Sequence, residues 1–121
     1  MSELADILRS MEEKPGMWFG RRPSINEIHA FITGFQHGQR VPPDPLSFEY
    51  FTRWVAAHYR VEDGPKGAFR LILEHVGVDE HRAVEEFFRL MPLYIRDLTE
   101  LGGEGIYAHY GKVMMEIQHG T

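Results

Sequence analysis

The sequence predicts an all-α fold, a single domain over residues 1–121 built as a bundle of about six amphipathic helices. Apolar residues recur at three- and four-residue spacing through most of the chain, which is the period of one helix face. Good N-cap residues stand directly before these stripes, and glycine or proline stands after them. The alternation expected of a half-buried strand fails even where aromatics are densest. There Phe48, Tyr50 and Trp54 would face one way and Phe51 and Val55 the other. With 43% hydrophobic and 12% aromatic residues, the chain has material for a core, and folding at this size removes about two-thirds of the unfolded surface from water.

Ser2 is a natural N-cap for a first helix whose stripe is Leu4, Ile7, Leu8 and Met11, and Pro15-Gly16 ends it. Ser24-Ile25-Asn26-Glu27 is an S-x-x-E capping box, in which hydroxyl and carboxylate each satisfy an amide left unpaired at a helix start. Ile25, Ile28, Phe31, Ile32 and Phe35 carry that helix to Gly38, a natural terminator. Val41-Pro42-Pro43-Asp44-Pro45 reads as an extended loop, because each proline disfavours helix at the residue before it. Ser47 is expected to cap a third helix carrying Phe48, Phe51, Trp54, Val55 and His58. Asp63-Gly64-Pro65 reads as the start of a fourth, with Phe69, Ile72, Leu73 and Val76 on its stripe and Gly77 as its stop.

Asp79 caps the longest element, near 79–101, where Val84, Phe87, Phe88, Met91, Tyr94, Ile95, Leu98 and Leu101 keep a heptad-like pattern. Pro92 lies inside it and is expected to kink it, since a regular helix there would cost about 3 kcal/mol. Leu101-Gly102-Gly103-Glu104-Gly105 reads as a breaker. Ile106, Tyr110, Val113, Met114 and Ile117 then form a last helix, which Gly111 weakens by about 1 kcal/mol relative to alanine.

Composition removes whole classes of chemistry. No cysteine is present, so disulfides, thiolate nucleophiles and Cys-ligated zinc or iron–sulfur sites are excluded. Thirteen basic against eighteen acidic side chains leave a net charge of −5, which argues against a nucleic-acid binder. The acidic start of the chain has no charged-then-apolar leader, and no apolar run approaches the ~20 residues that span a bilayer. A cytoplasmic location, without membrane insertion, is therefore expected. The serines are Ser2, Ser10, Ser24 and Ser47, three of them expected caps, and none stands in a G-x-S-x-G setting. Gly102-Gly103-Glu104-Gly105 lacks the preceding strand and G-K-[ST] ending of a phosphate loop.

Histidine is the residue type through which chemistry would enter. His81 and Glu85 are four apart on one helix face, with His75 and Asp79 nearby, but no two histidines have the four-residue spacing of a helical zinc motif. His29 and His58 lie beside apolar stripes and read as partly buried histidines with backbone partners. The adjacent pairs Glu12-Glu13 and Glu85-Glu86 read as solvated helix faces rather than converging acid–base carboxylates. No catalytic residue, cofactor or metal is assigned. In Lys14-Pro15-Gly16-Met17-Trp18-Phe19-Gly20-Arg21-Arg22-Pro23, three large apolar groups stand in a stretch read as non-helical. Trp18 is expected to be buried, with Arg21 and Arg22 presented as an interaction spot, since Trp and Arg are enriched in binding hot spots.

Pro15 to Gly20 also looks like the R-P-G-M-Y-I-G element of the ATP-hydrolysing DNA gyrase family, but the chain lacks that family's mixed sheet and glycine-rich lid. It resembles more closely small bacterial helical proteins that read approximately R-P-G-M-Y-L-G, S-x-x-x-L, then F-I-x-G-[YF]. The matching residues are Pro15 to Gly20, Ser24 to Ile28 and Phe31-Ile32-Thr33-Gly34-Phe35, followed by an aromatic helix at Phe48 to Val55 and the pair Phe87-Phe88. Trp18-Phe19 replaces the usual tyrosine–aliphatic pair, and Lys14 replaces arginine. Some of these proteins resemble immunity proteins of polymorphic-toxin systems. The resemblance, the lack of an assembled catalytic constellation and the acidic balance together point to a non-enzymatic protein-binding domain, most concretely an immunity protein that neutralises a basic toxin. The acids on helix faces opposite the core stripes, Glu12, Glu13, Asp79, Glu80, Glu85 and Glu86, are one expected binding surface, and Trp18, Arg21 and Arg22 are another. The alternative is a small metal- or ligand-binding helical enzyme or accessory protein using His29, His58, His81 and Glu85. A homo-oligomer paired through exposed aromatics is a third expectation.

Overall fold

Each helix start is set by which oxygen finds its free amides. The computed structural model describes residues 2–38 and 44–120, and among them every regular element is helical. Six helices follow in order: α1 (Glu3–Glu13), α2 (Pro15–Phe19), α3 (Ile25–His37), α4 (Phe51–Tyr59), α5 (Ala68–His75) and α6 (Glu80–Gln118). The chain divides into two compact units, Met1–Ser47 and Phe48–Thr121.

In the first unit the local capping signals are realised. The Ser2 hydroxyl accepts from the Ala5 amide at 2.9 Å, and Ser2 in turn donates to Asp44, whose carboxylate also accepts from the Leu4 amide at 3.0 Å. Ser24 and Glu27 complete their reciprocal capping box, and Gly38 closes α3. Leu4, Leu8 and Met11 of α1 and Ile25, Ile28 and Ile32 of α3 are buried. The expected loop at Val41-Pro42-Pro43 lies outside the described residues.

The segment read as non-helical after Lys14 is instead the single-turn helix α2. Proline at its first position loses no hydrogen bond, because that amide is unpaired in any helix. The turn is closed by the Gly20 amide donating to the Gly16 carbonyl with Gly20 at φ 69°, a left-handed conformation that glycine adopts freely.

In the second unit α4 packs on α5 and α6, and α5 packs on α6 as well. Phe51 is the hub. Its ring meets Phe48 at 5.1 Å, Tyr94 at 5.0 Å, Phe69 at 5.9 Å and Phe87 at 6.0 Å. Such edge-to-face and tilted pairs add about 0.5–1.5 kcal/mol each beyond the area they bury.

Two expected helix starts move. Ser47 does not cap α4. Phe48 and its neighbours form a turn in which the Phe51 amide donates to the Phe48 carbonyl, which aims the Phe48 ring at Phe51 and Tyr94. Asp63 does not cap α5, because its buried carboxylate is engaged by Tyr110 and Arg53. The Ala68 amide is satisfied instead from α4, by the Thr52 hydroxyl at 3.1 Å.

Asp79 caps α6 as expected, accepting from the Arg82 amide at 3.0 Å. Pro92 is carried inside the helix, and the backbone leaves helical angles at Gly102 (φ 70°, ψ 174°). The glycine cluster thus interrupts the helix as expected, and the two last expected helices meet at a kink at Gly102. No helix of the described residues is long and apolar enough to cross a membrane.

Candidate functional site

The expected binding residues fall into both units. In the first, Glu12 and Glu13 are exposed in the last turn of α1, which holds no basic residue. The carbonyl end of a helix carries partial negative charge, so acids there are disfavoured by about 0.3–1 kcal/mol. Three residues before Glu13 on α1, the Ser10 hydroxyl accepts from the Trp18 indole N–H at 2.9 Å. The indole edge also meets the Phe31 ring at 6.2 Å.

Trp18 is nevertheless 41% exposed, and its neighbour Met17 is 75% exposed. The expectation that Trp18 is buried is therefore corrected. A five-residue helix has too little length to turn all three of its large apolar groups inward, and only Phe19 is half-covered. Arg21 is not freely presented either. It forms a fork-to-fork pair with Glu27 at 2.7 and 2.9 Å. That guanidinium, with the Ser24 amide, holds the Glu27 carboxyl down at about 2. Arg22 is exposed.

In the second unit, Asp79, Glu80 and Glu85 are exposed at the start of α6. Acids there suit the positive end of the helix dipole. His81 and Glu85 form the expected exposed pair, 3.8 Å apart.

Glu86 departs from its expected place on a solvated face. Its side chain is 11% exposed. It accepts two hydrogen bonds from Arg89, both at 2.7 Å, and one from the Tyr59 hydroxyl at 2.5 Å. The Arg89 hydrogen bonds outweigh burial and hold the Glu86 carboxyl at about 2. Burial, with Glu86 alongside, pushes the Tyr59 hydroxyl up.

This carboxylate ends an aromatic stack that sequence spacing does not reveal. The His75 ring lies 3.8 Å from Tyr59 and nearly parallel to it, and the His58 ring stacks on Trp54 at 5.0 Å. The Trp54 indole N–H donates to Asp97 at 2.9 Å. Burial, then the nearby Arg89 charge, pushes the His58 imidazole down. His29, expected to be partly buried, is exposed on α3. The histidine pool His29, His58, His81 is thus spread over three helices, and among the described residues no three His, Asp or Glu side chains gather as a metal cluster.

A second network closes on the buried Asp63 carboxylate. Arg53 donates to the Tyr110 hydroxyl at 3.1 Å, and that hydroxyl donates to Asp63 at 2.7 Å. The Arg53 guanidinium also lies 5.0 Å from the Tyr110 ring centre.

Comparison with protein-family models, curated proteins and solved structures gives no match for this chain. The surface of α1 and α2 thus has to be read from its own chemistry. It offers two adjacent exposed apolar side chains, one of them a tryptophan fixed by its indole hydrogen bond, close in sequence to carboxylates that α1 itself disfavours. Such a surface can accept an apolar contact ringed by cations.

Proposed function

We propose that the chain is a non-enzymatic protein-binding domain, and more specifically an immunity-type protein that acts in the cytoplasm and neutralises a basic toxin domain by covering its active site. No nucleic acid, membrane or cofactor enters this reading. The observation that carries it is the surface of α1 and α2: exposed Met17 and Trp18, the latter tied to Ser10 of α1, a few residues after exposed Glu12 and Glu13. Departures from local helix rules are expected where function, not folding, selects the residue. Tryptophan supplies much area for little conformational loss and is the residue type most enriched in hot spots. Carboxylates around it steer a basic partner and fix its orientation. The −5 charge and the resemblance of Pro15 to Phe35 to immunity proteins support the same reading. Arg22 is a further exposed residue for the rim of such a contact, and in the second unit Asp79, Glu80 and Glu85 are exposed carboxylates for a basic partner.

The test uses the product of the open reading frame directly upstream. It is expressed alone and together with this chain, and growth and co-purification are followed. The expected result is growth arrest relieved by the chain, a one-to-one complex, and loss of about 2 kcal/mol of affinity or more in Trp18→Ala. A harmless upstream product that forms no complex would overturn the reading. So would a complex indifferent both to Trp18→Ala and to Glu12→Lys/Glu13→Lys.

A further inference from the structure

Gly102 stands at φ 70° and ψ 174°, angles that are essentially reserved for glycine, so helical geometry through α6 is interrupted at one residue. Helix formation propagates through consecutive helical residues, and the stretch after Gly102 is therefore held by its own contacts. The two stretches are unequally anchored. Before the joint seven side chains are buried, Phe87, Phe88 and Tyr94 among them, and after it three are, Ile106, Val113 and Met114.

The remaining anchors of the second stretch reach residues 50–63. The Tyr110 hydroxyl donates to Asp63 at 2.7 Å and accepts from Arg53 at 3.1 Å, and Arg60 donates to Glu116 at 3.2 Å. Tyr107 meets Tyr50 edge-on at 5.1 Å. Burial, with Asp63 alongside, pushes the Tyr110 hydroxyl up, which keeps it protonated and donating. Asp63 is buried, and its carboxylate exchanges water for this hydroxyl, with the Arg53 guanidinium 3.7 Å away. A desolvated carboxylate has to be partnered, and it regains its water when the partner leaves. A seat built on such a group lets go more readily than an apolar seat of the same size.

We propose that residues 103–118 form a strap, hinged at Gly102 and latched by Tyr110 onto Asp63, which opens as a unit while the rest of the second unit stays folded. Such a joint concentrates the backbone change of a hinge motion in one residue. Opening uncovers Ile106, Val113 and Met114 and frees Arg53 and Arg60. The strap is internal to the second unit, and it does not rest on the proposed immunity role.

The experiment is hydrogen exchange on the full chain across a range of low urea concentrations. Amides of 106–118 are expected to exchange as a group, about tenfold or more faster than those of 84–94. Their dependence on urea should be weaker, because opening the strap exposes less surface than unfolding the domain. Two substitutions separate the strap from the core. Tyr110→Phe keeps the ring beside Arg53 and removes the hydroxyl, so strap exchange is expected to quicken about tenfold. Val84→Ala weakens packing that the open-strap state retains. It is expected to quicken exchange at 84–94 about tenfold and to leave the strap unchanged.

Trypsin gives an independent reading at Lys112, an exposed residue within the strap. Cleavage there requires the surrounding helix to open, so its rate is expected to rise in Tyr110→Phe and to stay constant in Val84→Ala. Strap and core amides that share one rate and one urea dependence would make α6 a single cooperative unit and overturn the proposal. Exchange that rises steadily toward residue 118 would be fraying of a helix end and would overturn it too. So would a Val84→Ala effect equal in both stretches, or a strap indifferent to Tyr110→Phe.

Discussion

At Gly103 the backbone of α6 lies directly under the ring of Tyr50. A Cβ built there would sit 2.2–2.6 Å from three ring carbons, while at Gly111 it would meet nothing within 4 Å. Tyr50 is itself held edge-on against Tyr107 at 5.1 Å, so the ring has a neighbour in the way if it moves. Gly103→Ala is therefore expected to destabilise by about 1–3 kcal/mol despite the better helix propensity of alanine. Gly111→Ala is expected to stabilise by up to about 1 kcal/mol, because only propensity acts there. Urea unfolding at low micromolar protein checks both, and equal effects of the two substitutions would contradict the contact. Glu86 makes the second prediction at this scale. Its folded value, about 2, lies below the ordinary value near 4.5, so the folded state favours the ionised form. That contribution is complete above pH 4.5 and is lost as pH falls from there through 2. Glu86→Gln should cost about 2 kcal/mol at pH 7 and progressively less below pH 4.5. A gap between wild type and variant that stays constant from pH 7 to 3 would show that ionisation is not what holds this site.

At its start α5 depends on a neighbouring helix. It has eight residues and Gly67 at its cap position, without a side chain to offer. Its first amide, on buried Ala68, donates to the Thr52 hydroxyl of α4. Thr52→Val keeps the shape and removes the oxygen, leaving that amide unpaired, so it is expected to destabilise by about 1–2 kcal/mol. It should also speed hydrogen exchange at Ala68 more than in α4 or α6, and unchanged exchange there would remove the cap. This dependence explains what the sequence revealed. The starts of α1, α3 and α6 were legible because Ser2, Ser24 and Asp79 serve amides three positions onward. The start of α5 was not, because Thr52 acts sixteen residues ahead, and Asp63 is drawn to Tyr110, forty-seven residues away. The glycine cluster read as a breaker is a bend at Gly102, a seat for Tyr50 at Gly103 and a close approach of Leu101 at Gly105. The candidate site divides in the same way. Exposure of Glu12, Glu13 and Glu85 follows from helical phase, whereas the burial of Glu86 depends on Tyr59, twenty-seven residues earlier. The exposure of Trp18 depends on α2 forming at all.

At the scale of the whole chain, charge is unevenly held. Residues 48–121 contain twelve of the eighteen carboxylates and eight of the thirteen basic side chains. Much of this is neutralised locally, since Glu74, Glu86 and Glu116 each face an arginine or lysine. Steering of a basic partner therefore falls to exposed carboxylates, Glu12 and Glu13 in one unit and Asp79, Glu80 and Glu85 in the other. Seven histidines exceed the deficit of five charges, so full protonation would reverse the sign of the molecule. His58 does not join readily, because burial and Arg89 push its imidazole down. Histidine is the side-chain type that gains charge in this range, so the −5 balance moves toward neutrality as pH falls from 7.5 to 5.5. Association with the proposed basic partner is then expected to slow about tenfold over that interval, and to slow with added salt at pH 7.5, because steering acts on the encounter rate and is screened. Dissociation should change less, since Met17 and Trp18 carry no titrating group. Stopped-flow or surface-based kinetics at the two pH values separates the two rates. An association rate that stays constant while dissociation quickens would place the histidines inside the contact instead of in the field around it.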